Sequence, residues 1–299
     1  MKIMITGAGG FLGSRLLSFY GEKYEVRGMT HRELDVTDAA KTLDAVGHFC
    51  PDVLIHCSAV SDVGTCEREP ERSFAVNVTG SENLAAACAQ TGAKLVLCSS
   101  DQVYFGNDGA EKRDFHERAA FLRPHREDER LDPQPLYGKQ KLLAEERCLA
   151  VLPSCVCLRL TWMYDVLTLK EREGGRRNLA TIFLEAMEQK KPVTFSEMDH
   201  RGVTDVNLVV QNMEKAWKLS GGVYNYGSSA GGSVYETMCR AAALLKEQAG
   251  RTVRIRNVSL GSLRNLTMDT KKAEAAGIWF PETADRLAEF LAACPVNES

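Results

Sequence analysis

Tyr137 and Lys141 stand one helical turn apart in Leu136-Tyr137-Gly138-Lys139-Gln140-Lys141, a run that reads as a helix beginning just after Pro135. That spacing puts both side chains on one face. An ammonium beside a phenol favours the phenolate and would make Tyr137 a proton donor and acceptor near neutral pH. Ser100, in Ser99-Ser100-Asp101-Gln102-Val103-Tyr104, offers a hydroxyl to a substrate carbonyl; the plain alternative is a strand-end cap. The third group is Gly7-Ala8-Gly9-Gly10-Phe11-Leu12-Gly13, where an apolar strand runs into glycines and then into helix formers. Gly7 permits a sharp reversal, Gly9 and Gly10 let the backbone approach a ligand, and Gly13 lets the first helix pack close to the strand. A pyrophosphate would then sit at the helix start, over Phe11, Leu12 and Gly13. A Tyr-x-x-x-Lys pair alone often arises by chance. After a glycine turn and a Ser-bearing strand end, it points to proton transfer beside a bound dinucleotide.

These groups need a scaffold, and the rest of the chain reads as one. Lys2 to Thr6 is a first strand, Phe11 to Tyr20 a helix, and Tyr24 to Met29 a second strand. An NAD site normally places Asp or Glu at the end of that second strand. Here the residues are Thr30, His31 and Arg32, with no carboxylate until Glu33. A hydroxyl and two basic groups suit a 2′-phosphate, which favours NADPH and leaves NADH open; the alternative is a solvated loop. Leu34 to Asp38 reads as a short strand ending in a cap, with Asp35 able to reach an adenine edge and Val36 beside it. Pro51 to Ala59 is a strand buried on both faces, and Ser58 and Ala59 at its end leave room for a cofactor. Glu67 to Gln90 has apolar residues at helical spacing and reads as one long crossover helix, bent near Gly80. Lys94 to Ser100 is the next strand. Strand and helix alternating in this order specify an α/β fold with a Rossmann-type doubly wound parallel sheet, and chemistry gathers at the carboxyl ends of its strands.

Phe105 to Pro135 is long and charged, as expected of a functional lid or an insertion. Beyond Trp162 the chain alternates between elements that could finish the sheet and elements that could cover a substrate. Arg172 to Arg177 reads as a polar loop, and Asp199 to Val206 as a return segment in which Thr204 or Asp205 caps a helix. The expected division is a dinucleotide-binding domain over 1–161, with return segments near 195–226 and 256–268, and a discontinuous substrate lobe over 162–299.

Composition excludes several other classes. The 299 residues carry a net charge of −3, with Lys and Arg scattered, which gives no field for nucleic acid or an anionic membrane surface. No apolar run is long enough to span a membrane, and the chain opens on a strand instead of a signal segment, so the expected location is the cytoplasm. The ten cysteines show no C-x-x-C pair and read as reduced core residues. The six histidines form no metal-binding array, and His56 reads as a core residue, so no metal is expected.

With Gly7, Gly10, Gly13, Ser100, Tyr137 and Lys141 in this order, the chain resembles the extended short-chain dehydrogenase/reductase superfamily. Within it, the resemblance is to the dTDP-4-dehydrorhamnose reductase branch, which also contains the regulatory β subunit of methionine adenosyltransferase. The supporting stretches are Ser58 to Val63 with Cys66-Glu67, Ser99 to Tyr104 before Gly106, Arg159 to Tyr164, and Arg264 to Asp269 with Lys271. The resemblance implies that Ser100 polarises a substrate carbonyl and Tyr137 donates the proton. It also implies that Lys141 binds the nicotinamide ribose while lowering the phenol's pKa, with the hydride coming from NADPH. Trp162 falls where the family places an aromatic against the sugar, or it is a tryptophan at a domain junction. Arg201 could pair with a substrate diphosphate, or simply be solvated. Related dehydratases carry Asp then Glu after the catalytic hydroxyl residue, whereas this chain has Asp101-Gln102. An amide cannot be that base, so carbonyl reduction or epimerisation of a small nucleotide-sugar remains. The expected function is an NADPH-dependent reductase of a nucleotide-linked 4-keto-6-deoxy sugar. The alternatives are a nucleotide-sugar epimerase holding NAD and a non-catalytic cofactor-binding subunit. A homodimer stays open, since nothing in the sequence fixes the assembly.

Overall fold

The computed structural model describes residues 1–106, 121–165, 178–259 and 263–294. Six parallel strands form its centre. In chain order the first half runs β1 (Lys2–Thr6), α1 (Phe11–Gly21), β2 (Glu25–Met29), α2 (Ala39–Phe49) and β3 (Val53–His56). It continues through α3 (Val63–Arg68), α4 (Pro70–Phe74), a π-helical turn over Ala75–Thr79, α5 (Gly80–Thr91) and β4 (Lys94–Ser100). Then come α6 (Leu136–Val151) and β5 (Val156–Leu160). The sixth strand, β10 (Gly222–Tyr226), arrives much later and pairs with β5, giving the order β10-β5-β4-β3-β1-β2.

Alternation along the strands explains the layering. Successive side chains point to opposite faces, so Ile3 and Ile5 enter one apolar cluster while Met4 enters the other. β3 and β5 are buried at every residue, as expected of inner parallel strands covered by helices on both sides. On one face α1 lies against α8 (Val206–Ala216); on the other α5 and α6 pack together.

Two expected elements differ. Leu34 to Asp38 forms turns instead of a strand, because Asp35 accepts from the Thr37 amide (3.0 Å) and hydroxyl (2.7 Å), and Asp38 caps α2 through the Lys41 amide (3.0 Å). Glu67 to Gln90 is not one helix. Glu69 leaves helical geometry (φ −127, ψ 61) ahead of Pro70, and the π-turn precedes Gly80. A Cβ at Gly80 would lie 2.5 Å from Val36 Cγ2, so the glycine lets this crossover settle on the sheet.

The later residues build the smaller lobe. Its strands β6 (Trp162–Tyr164), β7 (Val193–Ser196), β8 (Asp199–His200) and β9 (Val203–Asp205) are joined by β11 (Ile255–Val258) and β12 (Arg264–Asn265). They pair as β6 with β9, β7 with β11 and β8 with β12. Helices α7 (Leu179–Gln189), α9 (Val234–Ala249) and α11 (Thr283–Ala293) bury a third cluster with Phe183, Met238 and Leu287; the short α10 (Lys271–Ala275) instead leans on β10. The stretch 195–226 thus feeds β10 into the main sheet. In 256–268, β11 and β12 pair inside the lobe. Arg172 to Arg177 and part of the Phe105 to Pro135 loop, 107–120, lie outside the described residues.

Candidate active site

The glycine turn after β1 is tight enough that no other residue fits two of its positions. Gly7 has φ +69, and a Cβ there would lie 2.7 Å from the Ser58 amide. A Cβ at Gly13 would lie 2.3 Å from the Gly7 carbonyl oxygen. The Gly10 amide donates to Gly7 O (2.9 Å), closing the turn, and no side chain caps α1. The first-turn amides and the helix dipole are therefore presented to the hollow at the strand end, a fit to a pyrophosphate. A Cβ at Gly9 would touch only Thr30 Cγ2, at 3.6 Å, so the end of β2 borders this hollow. There His31 and Arg32 are exposed, while the Glu33 carboxylate accepts from both the Thr30 amide (2.8 Å) and hydroxyl (2.7 Å). The acid is engaged inside its own turn and the basic groups face solvent. Asp35 is exposed, with one oxygen committed to Thr37; Val36 is buried, and Ser58 and Ala59 are half-buried behind the turn.

Ser100 ends β4, Tyr137 and Lys141 lie on the first turns of α6, and all three converge at the carboxyl edge of the sheet. Ser100 is the strand-end cap weighed for it: its Oγ accepts from the Gln102 amide (3.2 Å) and donates to Asp101 Oδ1 (3.2 Å), and it also hydrogen-bonds the Tyr137 phenol. Lys141 Nζ donates to the Cys98 carbonyl (2.8 Å) and sits 5.9 Å from the centre of the Tyr137 ring. The expectation that this ammonium favours the phenolate is corrected here. Burial pushes the phenol well above its ordinary value, opposed by the Ser100 hydrogen bond, and burial pulls Lys141 down. A raised pKa means the phenol holds its proton at neutral pH, the form a donor requires. His56 is pulled down to about 3 by burial, stays neutral, and links Thr6 Oγ1 (2.7 Å) to Ser81 Oγ (3.0 Å) as a structural tie. Among the described residues no group of His, Cys, Asp and Glu is arranged to hold a metal ion, and no helix is long and apolar enough to cross a membrane.

Opposite this edge the lobe contributes Arg201 and Trp162. Buried Asp101 accepts from Arg201 Nη2 (2.6 Å), and the guanidinium lies 5.8 Å from the centre of the Trp162 ring, itself 43% exposed. Arg201 is therefore not solvated. Among the described residues its Nε is buried without a partner, a donor that a ligand could take up. Asp101, Gln102, Trp162 and Arg201 thus gather beside Ser100 across the join of the two halves.

Beneath the site runs a polar network that no spacing rule singles out. Arg159 of β5 grips Glu145 of α6 through Nη2 (2.7 Å) and Nε (3.1 Å), and Ser99 donates to the same carboxylate. Arg159 Nη1 reaches Tyr104 Oη (2.8 Å), which donates to Asn225 Oδ1 (2.7 Å). Asn225 binds the segment before α6: its amide donates to Glu127 Oε1 (2.9 Å) and its side chain to the His125 carbonyl (2.9 Å). His125 stacks on Tyr104 with ring centres 4.6 Å apart. The available signal was a charged residue inside the apolar strand Val156-Cys157-Leu158-Arg159-Leu160, since a buried guanidinium requires a partner.

The chain matches the family model described as RmlD substrate binding domain over residues 1–294. It is 26% identical over 298 residues to the spore coat polysaccharide biosynthesis protein SpsK of Bacillus subtilis, covering 97% of this chain and 96% of that protein. Over 180 residues it is 35% identical to the dTDP-4-dehydrorhamnose reductase of Mycobacterium tuberculosis, covering 60% of this chain and 56% of the relative, little more than half its length. The crystal structure of dTDP-4-dehydrorhamnose reductase from Bacillus anthracis in complex with NADP superimposes with a TM-score of 0.80 and 21% identity, covering 98% of each chain. At that identity the likeness is one of fold.

Proposed function

This chain belongs to the RmlD substrate binding domain family, and from that premise we propose that it is an NADPH-dependent reductase of a nucleotide-linked 4-keto-6-deoxy sugar, of the dTDP-4-dehydrorhamnose class. The observation that carries the reading is the convergence of Ser100 and the protonated Tyr137 phenol at the strand end beside the glycine turn. When bound, NADPH supplies a hydride to the carbonyl carbon. The protein's part is to hold the carbonyl oxygen between the Ser100 and Tyr137 hydroxyls, stabilise the developing alkoxide, and pass it the phenolic proton. Lys141 at the ribose would then stand where its charge compensates the phenolate left behind. The test is mass spectrometry of the sugar nucleotide after incubation with NADPH. The product gains one hydride and one proton; a new isomer of unchanged mass, resolved by NMR, would favour the epimerase, and recovery of unconverted substrate with tight cofactor binding the regulatory subunit. Gln102 in place of an acid supports reduction over dehydration. We place the reaction in a lobe-covered cleft, with residues 1–161 holding the cofactor and 162–299 the sugar, and in the cytoplasm.

Two expected results follow from the cleft's walls. His31 and Arg32 are taken to hold the 2′-phosphate, so the His31→Ala/Arg32→Ala variant should raise the KM for NADPH by roughly 10- to 100-fold and leave that for NADH within about twofold. Steady-state kinetics with both cofactors checks this. Equal effects on the two would move the phosphate elsewhere. Trp162→Ala, at an exposed position, should raise the KM for the sugar nucleotide about five- to tenfold with kcat little changed, as loss of a stacking face does.

A further inference from the structure

We propose that Glu145 is a positioning residue that fixes Ser100, Tyr137 and Lys141 relative to one another; this rests on the reductase reading for its catalytic consequence. The geometry is specific. Glu145 follows Lys141 by one turn and Tyr137 by two on α6, so it shares their helix face. Its carboxylate is 2% exposed and takes three kinds of contact at once: the Ser99 hydroxyl, Arg159 Nε (3.1 Å) and Arg159 Nη2 (2.7 Å). Ser99 immediately precedes Ser100, and Ser99 and Arg159 are register partners across β4 and β5. One side chain thus ties the proton-donor helix to the strand end that carries the second hydroxyl. Through Arg159 and Tyr104 it is also joined to Asn225 and the segment around His125, on the substrate side.

Glu145 has a second effect, on charge. Lys141 is fully buried, donates to the Cys98 carbonyl and has no carboxylate in hydrogen-bond contact among the contacts of the described residues. The groups that face it are the Cys57 and Cys98 thiols beside the ends of β3 and β4, His56 of β3, and Tyr137, Glu145 and Cys148 of its own helix. His56 is neutral, so Glu145 is the carboxylate among them that favours the ammonium against desolvation. Removing its charge lowers the folded-state pKa of Lys141, and the ammonium is then lost at a lower pH.

The test is a pH titration of the Lys141 side chain by NMR in lysine-labelled full-length protein, its resonance assigned by its absence in Lys141→Met. It is run for the wild type and for Glu145→Gln, with Glu145→Gln/Arg159→Met as a second variant that leaves no unpaired buried charge and therefore retains the fold. Folding of each is verified by thermal melting. In Glu145→Gln the Lys141 midpoint should fall, and in the double variant, where loss of the Arg159 charge opposes loss of the carboxylate, it should fall less. The alkaline limb of kcat should move down with it, while the KM for NADPH changes less than about twofold. An unchanged midpoint overturns the proposal, because a merely structural strut would cost stability without moving it. The two readings separate cleanly: a wild type that fails to reduce the keto sugar removes the reductase reading, while the titration, which needs no substrate, still decides the role of Glu145.

Discussion

Tyr137→Phe is expected to lower kcat for keto-sugar reduction by roughly 10²- to 10⁴-fold while NADPH affinity stays within about twofold. The substitution removes one oxygen from a buried ring whose hydroxyl has Ser100 as its hydrogen-bond partner, so the helix and the glycine turn are left as they are. What is lost is the phenolic proton beside Ser100. Steady-state kinetics together with a fluorescence titration of NADPH separates loss of the donor from loss of the site. A fall in binding equal to the fall in rate would show instead that the ring holds the cofactor.

The second large effect is expected at Gly13. A Cβ there would stand 2.3 Å from Gly7 O and 2.8 Å from Gly7 C, both backbone atoms of a turn already fixed by its positive φ and by contact with Cys57 and Ser58. Neither side can yield cheaply, so Gly13→Ala must push α1 off β1. Overpacking of this kind costs about 1–3 kcal/mol. The anion site fails with it, because the amides that would receive the pyrophosphate ride on the displaced helix. NADPH affinity should drop by roughly 100-fold and Tm by several degrees, read by fluorescence titration and calorimetry. Gly9→Ala is the comparison: its Cβ would meet only Thr30 Cγ2 at 3.6 Å, so Tm should not change. Equal losses of stability in the two variants would contradict the packing account.

What was legible in the sequence follows a physical divide. Runs such as Ile3 to Ile5 and Leu95 to Cys98 announce themselves because the middle of a strand buried on both faces is apolar, and Gly7 and Gly13 because backbone contact admits nothing larger. Tyr137 and Lys141 were visible because helical spacing is local. The Leu34 to Asp38 turn was missed because side-chain to backbone hydrogen bonds from Asp35 and Asp38 outcompeted a short apolar pattern. The break at Glu69-Pro70 was signalled by the proline and overridden by the surrounding helical period. Arg201 meeting Asp101, 100 residues earlier, could not be read at all, since long-range ion pairs leave no spacing. The phenol's direction of shift was misjudged for a related reason: spacing places an ammonium nearby, but only the fold shows that Lys141 turns to the Cys98 carbonyl and that burial dominates.

The central claim is that this chain reduces a nucleotide-linked keto sugar at the expense of NADPH. The most direct measurement is absorbance of NADPH in the presence of dTDP-4-keto-6-deoxy sugar, wild type beside Tyr137→Phe, with the amount of reduced sugar nucleotide quantified at the end. The account predicts oxidation dependent on the sugar, one reduced sugar formed per NADPH consumed, and near-complete loss in the variant. Tight NADPH binding with no sugar-dependent oxidation in the wild type would contradict it.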